Sequence, residues 1–186
     1  MKIIISLMLL CLSAQVGAVE VEGANLEDKV QLDTQQVVLN GTGLRKKFFI
    51  KVYAAGLYLT GKMSTSEAIL ADAGAKRMTF HLLREVSGKQ MLDAISDTMP
   101  SNNSAEEMKM LEARLAEFSK MFATVTTVNK GDIINFDYLP AVGTRVTIAG
   151  VEKGKIEGAD FIRALLKIWI GDKPVQENMK QSLLGK

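Results

Sequence analysis

Arg45 and Tyr53 are the side chains whose types and spacing most directly imply binding chemistry, and both sit in the stretch GTGLRKKFFIKVYAAGLYL, Gly41 to Leu59. An arginine offers a planar fork of N–H donors and a phenol adds one more, a set that suits a carboxylate or an enolate-like oxygen in a partly apolar pocket. In a regular strand the two share a face, because side chains eight positions apart fall on the same side of a period-two alternation. Tyr58 has the opposite parity and joins them only if a bulge near Gly56 resets the register. On residue types alone a second reading stays open, in which Arg45, Lys46 and Lys47 decorate a turn and Tyr53 belongs to the core.

The other familiar constellations are weak. His81 is the one histidine of the sequence, placed mid-strand between Phe80 and Leu82, and the one cysteine, Cys11, falls in an N-terminal leader. Cys/His nucleophilic pairs and Cys/His zinc sites are therefore excluded beyond the leader, and no metal or cofactor is expected. Gly41-Thr42-Gly43 lacks the third glycine of a dinucleotide loop and the lysine of a phosphate loop, so it reads as a hairpin turn. Asp132, Asp137, Glu152, Glu157 and Asp160 match neither a calcium loop nor a glycosidase pair and read as solvated edges. Methionines 91, 99, 108, 110 and 121 cluster in the middle of the chain, where they fill a core or line a pocket for an adaptable apolar ligand.

The elements that must position these residues follow a leader. The sequence opens MKIIISLMLLCLSAQVGAVE, with Lys2 ahead of an apolar run and a small-residue end at Val16-Gly17-Ala18. That pattern predicts a signal peptide over residues 1–18, cleavage after Ala18 and export to the periplasm. The run is shorter than the ~20 apolar residues needed to span a bilayer, so no integral membrane segment is expected after cleavage. Residues 19–186 suffice for one domain with a substantial core. The formal charge of +2 shows no clustered basic footprint, and nucleic acid is not an expected partner.

Val37-Val38-Leu39 predicts a strand ending at the glycines, and Arg45 to Leu59 predicts one bent strand or two, with a bend near Ala54 to Gly56. Met63-Ser64-Thr65-Ser66-Glu67, with a hydroxyl residue three positions before the acid, opens a short helix toward Ala73, and Lys76 to Val86 returns to strand. Lys89 to Met99 places Met91, Leu92, Ile95 and Met99 on one helical face, ended by Pro100. Ser104 with Glu107 caps a second helix to about Phe122, whose apolar stripe is Met108, Leu111, Leu115, Phe118 and Phe122. Three short β segments, an amphipathic helix to Ile170 and a last helix opened by Pro174 complete an α+β domain, with helices packed on one face of a mostly antiparallel sheet.

Three segments carry a resemblance: GTGLRKKFFIKVYAAGLYL, SGKQMLDAISDTM and GTRVTIAGVEKGKIEGADFIRALLKIWIGDKPVQENMKQSLLG. Together they resemble the bacterial, exported branch of the chalcone isomerase-like family, over nearly all of residues 19–186. The resemblance implies an open-faced β-sandwich-like α+β fold, a large antiparallel sheet covered by helices with a ligand cleft between them. It also implies that Arg45 faces the cleft and that Tyr53 joins it at a ligand carboxylate, as in the fatty-acid binders of the family. The plant enzymes have threonine where this chain has Tyr53, and a cleft tyrosine where Gly88-Lys89-Gln90 is followed by Met91. The ligand-binding candidates are thus Arg45, Tyr53, Tyr58 and Met91, and Arg45 is also the candidate catalytic residue.

Three functions remain open on this reading. The first is an exported, non-catalytic binder of a small amphipathic organic acid such as a fatty acid. The second is a cofactor-free isomerase or intramolecular lyase of chalcone isomerase type. The third is an envelope protein with a vestigial cleft that binds a partner, marked by an exposed apolar patch and a closed cleft.

Overall fold

A computed structural model describes residues 17–186. The expected leader lies outside the described residues except for Gly17 and Ala18. The chain begins with a hairpin of β1 (Ala18–Val21) and β2 (Ala24–Glu27), followed by β3 (Lys29–Leu32), β4 (Gln35–Lys47) and β5 (Ile50–Leu59). A short helix α1 (Ser66–Ala71) leads to β6 (Lys76–Leu82), β7 (Val86–Ser87) and α2 (Gly88–Thr98). After one 3-10 turn come α3 (Ala105–Met110), α4 (Glu112–Ala123), β8 (Thr127–Val128), β9 (Ile133–Leu139), β10 (Gly143–Ile148) and β11 (Val151–Ile156). Two helices close the chain, α5 (Ala159–Ile170) and α6 (Glu177–Leu183).

Seven strands form one antiparallel sheet in the order β11-β10-β9-β6-β5-β4-β3. One face of it carries the main core, where Met78, Phe80 and Leu82 of β6 alternate inward as their spacing predicts. They meet Ile95 of α2, Phe118 and Phe122 of α4, and Met179 and Leu183 of α6. Helix α5 buries residues nearly all round, from Phe161 to Ile170, because other elements pack on it as well as the sheet. The opposite face holds a smaller cluster of Leu26, Leu32, Val37, Leu39 and Tyr58.

The local signals that cap helices are realised. Ser104 and Glu107 complete a reciprocal capping box at α3, while at α1 the cap is Thr65, which accepts from the Ala68 N–H, one position after the hydroxyl that stands three before Glu67. The helix expected to run unbroken to Phe122 is interrupted at Leu111, which caps α3 and begins α4. Pro174 does not open the last helix, whose N-cap is Gln176. Among the expected solvated acids, Asp137 is instead buried, gripped by Arg77 at 2.6 and 2.8 Å. Arg145, at 3.7 Å, adds a second cation to that buried carboxylate.

Two expectations about the opening stretch change. Gly41 and Gly43 make no turn but lie inside β4, which runs straight through them. A Cβ at Gly41 would overlap the Ser182 carbonyl oxygen, and one at Gly43 would lie 2.6 Å from Met179 Cγ. The glycines are there so that α6 can rest directly on the strand. The chain turns instead at Phe48-Phe49, pairing Lys47 with Ile50. Its irregularities also fall elsewhere than Gly56: Asn40 is the extra residue on β4 and Val52 the extra residue on β5.

Candidate functional site

Because the turn falls at Phe48-Phe49, Arg45 and Tyr53 are direct cross-strand partners rather than neighbours along one strand. The opposing pair points to the helical face of the sheet, as do Ala55 and Leu57 further along β5. There a cavity of about 520 Å³ opens between the sheet and helices α2 and α5. That volume lies in the usual range of small-molecule sites.

Of the residues singled out in the sequence, Arg45, Tyr53 and Met91 all line this cavity. Tyr58 is not brought to it. The β5–β6 register runs without interruption from Tyr53 to Leu59, so Tyr58 keeps its opposite parity and is buried in the smaller cluster beyond the sheet. Only Met91 of the five middle-chain methionines lines the cavity, while Met99 is buried in the core and Met110 is exposed. The apolar walls come instead from Phe80, Leu82, Ile134, Phe136 and Ile168. His81 alternates with Phe80 and Leu82 and so turns to the other face.

Arg45 is held from the side. Its Nη1 donates to the Lys46 carbonyl at 2.6 Å and to Gln176 Oε1 at 3.2 Å. Gln176 in turn donates from Nε2 to the Leu44 carbonyl at 2.9 Å and accepts from the Lys46 N–H at 2.9 Å. Its amide thus takes the place of a neighbouring strand along this stretch of β4, because β3 pairs only with Gln35 to Val38. Among the described residues no carboxylate forms an ion pair with Arg45. Its Nε and Nη2 donors make no hydrogen bond among the described residues.

Tyr53 is fixed by Trp169, whose Nε1 donates to the phenol oxygen at 2.9 Å, and by Phe80, whose ring meets the tyrosine ring edge-on at 5.1 Å. With its oxygen accepting from the indole, the phenol keeps its own proton to donate. Burial pushes the Tyr53 phenol up to about 12, against the lowering influence of the Trp169 hydrogen bond and the Arg45 charge. At neutral pH it is a hydrogen-bond donor and not a phenolate base.

Trp169 and Gln176 are the two site residues that sequence reasoning missed. Trp169 carried a usable signal, since a buried indole N–H needs an acceptor and Trp169 is the one tryptophan of the sequence, set in an apolar run of its helix. Gln176 carried none. Its role arises only where the loop before α6 meets the unpaired edge of β4.

The raised phenols have a consequence for stability. Desolvation also takes Tyr58 up to about 12, opposed by the charge of Arg77. Both folded values exceed the unfolded value near 10, so their stabilising contribution is complete below about pH 10 and is lost as pH rises toward about 12. Each tyrosine gives a slope of up to about 1.4 kcal/mol per pH unit in that window. Urea midpoints should therefore fall more steeply there for the wild type than for Tyr53→Phe or Tyr58→Phe. Parallel curves for all three proteins would contradict the shifts.

Among the described residues no group of three or more His, Cys, Asp or Glu is placed to hold a metal ion, and no helix is long and apolar enough to cross a membrane. The comparisons with known proteins agree with the architecture. No curated protein sequence matches the chain significantly. Among solved structures, a fatty-acid binding protein of Arabidopsis thaliana shares the fold, with a TM-score of 0.69 and 17% sequence identity, over 90% of this chain and 96% of that one. A family model described as chalcone isomerase-like matches residues 18–185, effectively the whole of the described chain. The open-faced sheet, the helices laid on one side of it and the cleft between them are thus the fold of that group, and the chain belongs to the chalcone isomerase-like family.

Proposed function

We propose that the protein is a non-catalytic binder of a small amphipathic carboxylate, with a fatty acid as the ligand class. The observation that carries this reading is the pairing of an arginine that forms no ion pair among the described residues with a protonated tyrosine, both lining a cavity walled by Phe80, Leu82, Ile134, Phe136 and Ile168. The carboxylate bonds to the free N–H groups of Arg45 and the Tyr53 hydroxyl, and the hydrocarbon lies against Phe80, Leu82, Ile134, Phe136, Ile168 and Met91. Tail burial contributes about 0.8 kcal/mol per methylene, which gives useful affinity from chain length alone once association costs are subtracted. The fatty-acid binding protein that shares the fold supports the same ligand class.

The site favours binding over isomerase chemistry. Arg45 and a phenol raised to about 12 are both hydrogen-bond donors near neutral pH, a pair suited to holding a carboxylate rather than to taking a proton from a phenolic substrate, and the carboxylates that line the cavity, Asp93 and Asp97, come from α2 and not from that pair. Export to the periplasm belongs to the same proposal. Cleavage after Ala18 leaves all but the first residue of β1 in place.

The test is native mass spectrometry with lipid extraction on protein purified from the periplasm. A bound organic acid on a chain beginning at Val19 is the expected result. A chain that purifies empty and takes up no added fatty acid would overturn the binding reading, and a chain retaining residues 1–18 would overturn export.

A further inference from the structure

The turn that sets Arg45 against Tyr53 also projects the two most exposed large apolar residues of the described chain, with a third beside them. Phe48 is 87% exposed, Phe49 100% and Ile50 53%. Isolated exposed apolar residues are ordinary, but three in succession at one hairpin tip form a patch. The backbone makes this placement more pointed. Phe48 has φ +55, a conformation that two-residue hairpin turns normally give to glycine or asparagine. A bulky aromatic side chain is thus held at a position that local backbone preference disfavours, on a surface that burial preference disfavours. Sites that break two such rules at once are where function is expected.

The residues around the tip say what it meets. Lys46 and Lys47 precede it and Lys51 follows it, all three exposed. Among the described residues Lys46 and Lys47 form no ion pair, while Lys51 pairs with Glu22 of the neighbouring hairpin. Aromatic side chains ringed by lysine suit the interface of a bilayer, where the rings enter the headgroup boundary and the ammonium groups meet anionic phosphates. The patch also adjoins the cavity, because Lys47 and Arg45 of the same hairpin are among the residues that line it.

We infer that the β4–β5 hairpin tip docks the protein on an anionic lipid bilayer, with Phe48 and Phe49 inserted and Lys46 and Lys47 on the headgroups. The orientation turns the side of the cavity lined by Arg45 and Lys47 toward the membrane. The inference stands on the tip alone and does not require the ligand proposed above, although a bilayer is a natural source for it.

The experiment is co-sedimentation of the protein with vesicles of phosphatidylcholine, with and without phosphatidylglycerol, for the wild type, Phe48→Asn with Phe49→Ser, and Lys46→Gln with Lys47→Gln. Asparagine is tolerated at positive φ, so the first variant keeps the turn and its loss of binding cannot be ascribed to unfolding. Wild type should pellet with the phosphatidylglycerol vesicles and release at high salt. The aromatic variant should bind at least tenfold more weakly, and the lysine variant about fivefold more weakly per charge removed. Wild type that ignores phosphatidylglycerol, or binds no better than the aromatic variant, overturns the proposal. So does a dimer that the aromatic variant abolishes, because the tip is then covered by a second copy. Fatty-acid binding in solution by the aromatic variant should match wild type, which keeps the failure of docking separate from the failure of the cavity reading.

Discussion

Arg45→Ala should lower the affinity for a fatty acid by about ten- to a hundredfold while leaving the fold intact. A hydrogen bond to a charged group contributes roughly 1.5–3 kcal/mol net, and the guanidinium is the one full positive charge paired directly with Tyr53 across the sheet. The side chain is anchored through Gln176 at the edge of β4, so its removal opens no core cavity. Titration calorimetry with the free acid and its methyl ester separates charge from packing. The ester should bind wild type and Arg45→Ala equally, because it lacks the charge that the arginine meets. Equal loss of acid and ester would show that Arg45 shapes the cavity rather than holding an anion.

Phe118→Ala should be the most destabilising single change near the site, by about 3–5 kcal/mol. Phe118 is buried in α4 and its ring lies 4.7 Å from Phe122, 5.5 Å from Phe161 and 5.9 Å from Phe136. It therefore joins α4 and α5 to the sheet behind the wall of the cavity that Phe136 provides. A domain of this size loses roughly 2–4 °C of Tm per kcal/mol, so thermal unfolding should move down by about 6–20 °C. A shift of only a degree or two would mean that α4 is loosely seated and that the cavity wall does not depend on it.

The sequence discloses the parts of this architecture that obey local rules. The alternation of Met78, Phe80 and Leu82 places the core face of β6, and the Ser104/Glu107 box places the start of α3. The parity of Tyr58 against Tyr53 already separates the two faces of β5, and the structure keeps that separation. Misreading concentrates where a residue serves a distant partner. Gly41 and Gly43 look like a turn because glycine is the usual turn residue, yet they answer to α6, which lies more than a hundred positions away. The true turn is invisible to the same logic, since Phe48-Phe49 is the opposite of a turn signature. Its disguise also hid the reason Arg45 and Tyr53 meet. Their shared face comes from hairpin pairing and not from even spacing along one strand, so the right pairing follows from the wrong geometry.

Those same features tie the fold to the proposed function. The bare glycines let α6 sit on β4, and the loop before α6 delivers Gln176 to Arg45. Helix α5 delivers Trp169 to Tyr53. Each half of the proposed clamp is thus hydrogen-bonded by a side chain from the C-terminal region, Gln176 for Arg45 and Trp169 for Tyr53, with Phe80 of the sheet packing beside the tyrosine. Preorganisation of this kind reduces the ordering cost of binding.

A crystal structure of the protein grown with a fatty acid shows directly whether Arg45 and Tyr53 hold a carboxylate. The carboxylate should lie within about 3 Å of both the Arg45 guanidinium and the Tyr53 hydroxyl, with the tail between Phe80, Ile134, Phe136 and Ile168. A ligand seated with its carboxylate away from Arg45, or bound outside the cavity with the Trp169–Tyr53 bond closing an empty interior, would contradict the proposed clamp.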